Sequence, residues 1–168
     1  MSFLVPIHDI LKRPGQMREI ELDIELSEPM GTAVVAVPKG ENVEIDLRLE
    51  SVHEGILATG DVFCEARTEC SRCLDEMKLE VEVDFQELFA YSVQSDDELM
   101  VDGEHIDLMQ VVTDSVVLSL PFQPVCNKDC LGLCVECGFR LSQDPDHKHE
   151  SVVDPRFSAL EGFLSKEE

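Results

Sequence analysis

The chain has 168 residues, enough for one domain with a real apolar core, and its 43% hydrophobic and 29% charged composition is that of a globular protein. Thirteen Lys and Arg stand against 36 Asp and Glu, a net charge of −23, which excludes a broadly basic nucleic-acid-binding face and favours basic partners. No segment is apolar over the length needed to cross a bilayer, and the opening Met-Ser-Phe-Leu-Val-Pro-Ile-His-Asp lacks the basic start and apolar run of an export signal, so a cytoplasmic protein is expected.

Residues 1–16 read as a short apolar start and a turn at Lys12-Arg13-Pro14-Gly15. Ile20, Leu22, Ile24 and Leu26 then alternate with Glu19, Glu21, Asp23 and Glu25, which predicts a strand with one apolar and one acidic face. Pro29-Met30-Gly31 breaks it, and Thr32–Val37 is expected as a second strand. The alternation returns with Val43, Ile45, Leu47 and Leu49 against Glu44, Asp46, Arg48 and Glu50.

The run Ile56–Ala66 predicts a further strand with Val62, Cys64 and Ala66 on one face, and it leads the chain to Cys70. Beyond Cys73, the residues Met77, Leu79, Val81, Val83 and Phe85 alternate with Lys78, Glu80, Glu82 and Asp84. The segment Cys70-Ser71-Arg72-Cys73 is therefore expected at the tip of a hairpin. Such clean alternations argue for antiparallel sheet with one wet face.

Ser92–Asp102 reads as an acidic, irregular loop. Asp107 is a candidate helix cap, ahead of an apolar stripe of Leu108, Val111, Val112, Val116 and Leu120 that ends at Pro121. Asp154-Pro155 predicts the start of a short C-terminal helix carrying Phe157, Leu160 and Leu164.

The chemistry is concentrated in Cys126-Asn-Lys-Asp-Cys130-Leu-Gly-Leu-Cys134-Val-Glu-Cys137-Gly138, then His147-Lys-His149, with Cys70 and Cys73 upstream. Reducing surroundings oppose disulfides, and the odd count of seven cysteines weakens them further, so metal binding is the expected use of the C-x-x-C pairs. Two intervening residues make a tight turn that points both sulfurs inward, and Gly138 accommodates the positive φ such turns require. The eight candidate ligands are Cys70, Cys73, Cys126, Cys130, Cys134, Cys137, His147 and His149, enough for two tetrahedral Zn2+ shells.

The favoured partition joins Cys70/Cys73 to Cys126/Cys130, and Cys134/Cys137 to the two histidines. The alternatives are a single zinc on Cys70, Cys73, Cys134 and Cys137, and a shell of Cys130, Cys134, Cys137 and one histidine. His147 and His149 would point to opposite faces of an extended chain, so both can ligate only across a turn. Asp144 or Asp146 could replace one of them with an oxygen ligand.

Full shells of this kind are structural, because a catalytic zinc keeps an open position beside a general base. The nucleobase-deaminase pattern is absent, and a C-x-x-C between two strands lacks the βαβ setting of a thiol oxidoreductase. Cys64 reads as a small core thiol, His8, His53 and His105 as surface residues, and Arg72 as solvent-facing, with a phosphate contact as its functional alternative.

These motifs carry a resemblance. Cys70-Ser-Arg-Cys73-Leu74, Leu120-Pro121, Cys126-x-x-x-Cys130-Leu-Gly132-Leu133-Cys134-x-x-Cys137-Gly138 and Asp154-Pro155-Arg156 together are similar to the bacterial and plastid family called large ribosomal RNA subunit accumulation protein, YceD-like. The chain departs from that pattern where His147-Lys-His149 stands for a final C-x-C and Arg140-Leu141-Ser142 for the usual Asn-Leu-Asn. The resemblance implies a non-enzymatic role in making or stabilising 23S ribosomal RNA, in a family whose genes often lie beside that of a small basic ribosomal protein. The implied partners are a large-subunit ribosomal protein or pre-50S particle, with rRNA contacted directly or indirectly, and neither a membrane nor a small-molecule substrate.

The expected fold is α+β: an antiparallel sheet, open or curled toward a barrel, one or two helices, and a zinc-bound C-terminal segment. Residues 1–120 are expected to form the sheet scaffold with the first cysteine knuckle and the following helix. Residues 121–168 are expected to form the metal-binding segment and last helix, packed against the scaffold as one unit. The alternative functions are a zinc-stabilised acidic adaptor or regulatory protein outside the ribosome and, less favoured, a thiol redox enzyme.

Overall fold

A computed structural model describes residues 2–92 and 99–149. Its strands are β1 (Leu4–Pro6), β2 (Met17–Glu25), β3 (Met30–Gly31), β4 (Val35–Val37), β5 (Asn42–Ser51), β6 (Gly55–Glu69), β7 (Glu76–Ala90) and β8 (His105–Asp107), followed by one helix, α1 (Met109–Ser119). The alternating segments became strands because each presents an apolar row that only a pleated backbone can turn to one side. In β5, Val43, Ile45, Leu47 and Leu49 are buried while Glu44, Asp46 and Arg48 are exposed.

All pairings in the main sheet are antiparallel. The long strand β6 is its spine. One edge of β6 pairs with β7 along fifteen residues, from Gly55↔Ala90 to Glu69↔Glu76. The other edge carries β5 and, further along, β4, with β2 outside β5 and β3 outside β4. Among the described residues β2 and β7 do not pair, so the sheet stays open and does not curl into a barrel.

The core lies between the inner face of this sheet, α1 and the N-terminal segment. Ile45, Leu49, Ile56, Val62, Phe85 and Phe89 meet Leu108, Val112 and Val116 from the helix side and Phe3, Val5 and Ile7 from the chain start. The helix stripe is buried as its spacing predicts, and the helix stops before Pro121. Asp107 caps one position early: its Oδ1 accepts the N–H of Met109 at 2.9 Å and that of Phe3 at 2.8 Å.

Three expectations are corrected by the fold. Met30-Gly31 does not only break a strand; it pairs with Ala36–Val37 in a small hairpin whose tip is held by the Thr32 hydroxyl. The apolar start forms β1, which pairs with β8, a long-range pairing without a local pattern. Within the acidic loop, Leu99 and Val101 bond to Ala90, so that end is tied to the sheet. The expected helix from Asp154 lies outside the described residues. No helix of the described residues is long and apolar enough to cross a membrane.

Candidate metal centres

The β6–β7 hairpin ends in Cys70–Asp75. Here Leu74 N–H donates to Cys70 O at 2.9 Å, and Cys70 N–H donates to Asp75 O at 2.8 Å. The second C-x-x-C repeats the arrangement: Gly138 N–H donates to Cys134 O at 2.8 Å, and Cys134 N–H to Phe139 O at 2.8 Å. The two knuckles are thus one backbone unit used twice. Each needs a left-handed residue after its second cysteine, supplied by Gly138 (φ 73°) in one and by Leu74 (φ 59°) in the other.

The loop after Pro121 brings two more thiols to the first knuckle. Ser71 anchors it, donating to Pro124 O through both its N–H and its hydroxyl at 2.8 Å. Arg72 holds the far side, donating Nη1 to the carbonyls of Lys128 (3.2 Å) and Cys130 (2.9 Å). Arg72 is exposed, as expected of a solvent-facing arginine, and its guanidinium also braces the loop.

Cys70, Cys73, Cys126 and Cys130 consequently place their sulfurs within 4.8 Å of one another. Cys70 Sγ lies 3.9 Å from Cys130 Sγ, and Cys73 Sγ lies 3.8 Å from Cys126 Sγ. A tetrahedral ion with metal–sulfur bonds of about 2.3 Å sets its sulfurs about 3.8 Å apart, so the four donors fit such a shell. All seven cysteines are free thiols.

The second group is Cys134, Cys137, His147 and His149, again within 4.8 Å. A turn at Asp144-Pro145-Asp146, closed by His147 N–H to Asp144 O at 3.2 Å, folds the histidines back over the knuckle. Their Nε2 atoms approach Cys137 Sγ at 3.3 and 3.2 Å and each other at 3.0 Å. Asp144 spends its carboxylate on the N–H of Asp146, and neither Asp144 nor Asp146 joins the group. No group among the described residues unites Cys70/Cys73 with Cys134/Cys137, or Cys130 with the second knuckle.

Backbone donors favour the thiolate at the leading cysteine of each knuckle. The N–H groups of Cys73, Cys126 and Arg72 bring Cys70 down to about 6, and those of Cys137 and Glu136 bring Cys134 down to about 6. Cys73 moves the other way, to about 12: the N–H of Asp75 lowers it, but desolvation and the sulfurs of Cys70, Cys130 and Cys126 outweigh that. Four crowded sulfurs in one small volume cannot all be anionic without a cation to share their charge.

Residues that sequence reasoning passed over complete the surroundings. Glu136 Oε2 lies 3.5 Å from His149 Nδ1 and Phe139 stacks on His147 with ring centroids 4.6 Å apart, which orients both Nε2 atoms toward Cys137. Arg140 pairs with Asp75 through both carboxylate oxygens, and Leu133 N–H donates to Arg72 O at 2.9 Å. At Gly132 (φ 77°) an added Cβ would stand 2.8 Å from Arg72 O, so only glycine lets the second segment lie this close to the first knuckle. Position within or beside a C-x-x-C was the one available signal for Glu136 and Phe139. Arg140 stood out only as part of the departure from the family's Asn-Leu-Asn, which gave it no role. Cys64 lies on the inner face, half-buried beside the core, and His8, His53 and His105 are exposed.

The chain is 41% identical to an uncharacterized protein of Mycobacterium tuberculosis (strain ATCC 25618 / H37Rv), over 97% of this chain and 82% of that one. It is 36% identical to an uncharacterized protein of Mycobacterium leprae (strain TN), over 92% and 74%. Identity to the uncharacterized protein YlbN of Bacillus subtilis (strain 168) is 24%, over 96% of each. No solved structure matches the chain. The family model described as large ribosomal RNA subunit accumulation protein YceD matches residues 58–164, a span that begins on β6 and includes all eight candidate ligands, and the chain belongs to that family.

Proposed function

We propose that the protein is a non-enzymatic, cytoplasmic factor in large ribosomal subunit biogenesis. It supports the synthesis, processing or stability of 23S rRNA by binding a basic large-subunit ribosomal protein or a pre-50S particle. The family to which the chain belongs has its role in large ribosomal subunit accumulation. Zinc is the ion that suits four thiolates in one group and two thiolates with two imidazoles in the other. Four donors fill each tetrahedral shell, so both ions act structurally: the first pins the loop after Pro121 to the hairpin tip, and the second closes residues 134–149 on themselves.

One observation carries the choice of partner. Glu21, Asp46, Asp61 and Asp84 stand directly opposite one another across β2, β5, β6 and β7, all exposed. The next row adds Asp23, Glu44 and Glu82 around Phe63. Like charges in directly opposed positions weaken a sheet, so this face costs the fold stability and suits a cationic surface. RNA is then reached through the basic protein, with any direct contact confined to the knuckles.

Co-sedimentation tests the reading. The chain should travel with pre-50S particles, and an Asp46→Asn/Asp61→Asn/Asp84→Asn variant should lose that association while remaining folded. An adaptor outside the ribosome would leave the chain unassociated. Tight, salt-sensitive binding to protein-free 23S fragments would reverse the order of contacts.

A further inference from the structure

The outer edge of β2 has no partner strand among the described residues. β5 occupies one side of its nine residues, and every second peptide unit therefore turns its N–H and C=O away from the sheet. The pairing runs without a bulge from Met17↔Glu50 to Glu25↔Asn42, and the strand contains no proline and no lysine. Of the usual devices that close an edge to further pairing it has only charge: the four acids Glu19, Glu21, Asp23 and Glu25, which a cationic strand would neutralise, and Arg18 on the apolar face, which is already engaged by Asp9 and the Pro6 carbonyl. The edge of β7 differs, because α1 packs against that strand and Ala90 at its end bonds to Leu99 and Val101.

The side chains of β2 describe what would fit beside it. On the inner face Ile20, Leu22 and Ile24 are only half-buried, whereas the residues directly opposite, Leu47, Ile45 and Val43, are sealed. Among the described residues, the apolar layer thus runs on to the last strand without cover on its far side. On the outer face Glu19, Glu21, Asp23 and Glu25 are exposed. A second copy of this chain would bring its own acids against these four, and a phosphate backbone would be repelled in the same way.

We propose that the β2 edge receives an added strand from a basic polypeptide in which Lys or Arg alternates with aliphatic residues. Its cations would lie beside Glu19, Glu21, Asp23 and Glu25, its aliphatic side chains beside Ile20, Leu22 and Ile24, and its backbone would take up the free N–H and C=O groups. This rests on the basic-partner reading above and specifies how that partner is held.

The test uses the full chain and three synthetic peptides: one alternating lysine and valine, and two versions N-methylated on one or the other set of alternate amides. Binding is followed by fluorescence anisotropy at low salt and by backbone hydrogen exchange. The parent peptide should slow exchange of the outward amides of Met17–Glu25 by roughly tenfold or more. One N-methylated peptide, the one lacking its edge-facing donors, should bind roughly tenfold more weakly than the other. Equal binding of both, with protection elsewhere on the acidic face, would overturn strand addition and leave the basic-partner reading standing. No binding of any peptide would overturn both. Outward β2 amides already protected in the free chain would also overturn the proposal, because a second copy or residues 150–168 would then hold the edge.

Discussion

Arg140 lays its guanidinium across both carboxylate oxygens of Asp75, with Nη1 2.7 Å from Oδ2, and so joins the first knuckle to the segment between the ligands of the second. Sixty-five positions separate the two residues in sequence. Held by this fork, Asp75 stays ionised down to about 2. The two candidate centres are therefore mechanically connected, although they share no ligand.

Breaking that connection should affect the first centre first, because Asp75 also faces Cys73. Asp75→Asn keeps the shape of the side chain but removes the charge that orients Arg140. The expected result is a loss of roughly 10- to 100-fold in metal affinity at Cys70/Cys73/Cys126/Cys130, the range found when groups beside a metal ligand are removed. Competition against a chromophoric chelator should resolve the two sites, with the Cys134 site changed much less. Equal loss at both would show that the centres fold as one.

Metal content should be two zinc ions per chain by native mass spectrometry, and Cys70→Ser and Cys134→Ser should each lose one. Chelation should unravel the chain after Pro121 and loosen the hairpin tip, since a structural zinc contributes on the order of 10 kcal/mol to folding. Alkylation at neutral pH should then rise from almost none to six thiols, leaving Cys64 unmodified. Far-UV and near-UV spectra unchanged by chelation would count against the pinning role.

Leu74 holds a left-handed backbone that its counterpart Gly138 adopts without strain. Its side chain is 59% exposed, so little packing compensates. Leu74→Gly should stabilise the loaded protein by about 1 kcal/mol in denaturant titrations, and Gly138→Leu should destabilise it by about 1–2 kcal/mol. A destabilised Leu74→Gly variant would mean that the leucine side chain makes a contact worth more than the strain.

Neutralising the acidic row should separate stability from binding. Asp61→Asn with Asp84→Asn removes two directly opposed charges and should raise stability by about 0.5–1 kcal/mol. The same change should weaken binding to basic partners, with the difference from the parent chain shrinking as salt increases. A variant that became less stable would show that these carboxylates do structural work in the sheet.

Burial raises the Cys64 thiol to about 11 from its ordinary 9.0. The unfolded chain releases this proton at lower pH than the folded one. Its contribution is accordingly complete below about pH 9 and is lost as pH rises through about 11. Cys64→Ala should flatten the stability curve across that window, measured as the difference in slope between variant and parent. Identical slopes would place Cys64 in water.

What the amino-acid order determined by itself was whatever depends on near neighbours. The alternation in β5 and along Met77–Phe85, the three-and-four spacing of Leu108, Val111, Val112 and Val116, and the turn chemistry of each C-x-x-C are legible because a strand, helix or knuckle is selected within a few residues. The kinds of ligand were equally plain, since thiols and imidazoles at knuckle spacing have few other uses. Tertiary structure selected the favoured grouping of the ligands over its two alternatives, and it alone decided that β1 finds β8, that the sheet stays open, and that Glu21, Asp46, Asp61 and Asp84 fall into one row. Each of these depends on strand register or on contacts between residues distant in the chain, and a shift of one position would rearrange every such pairing while leaving the local patterns untouched.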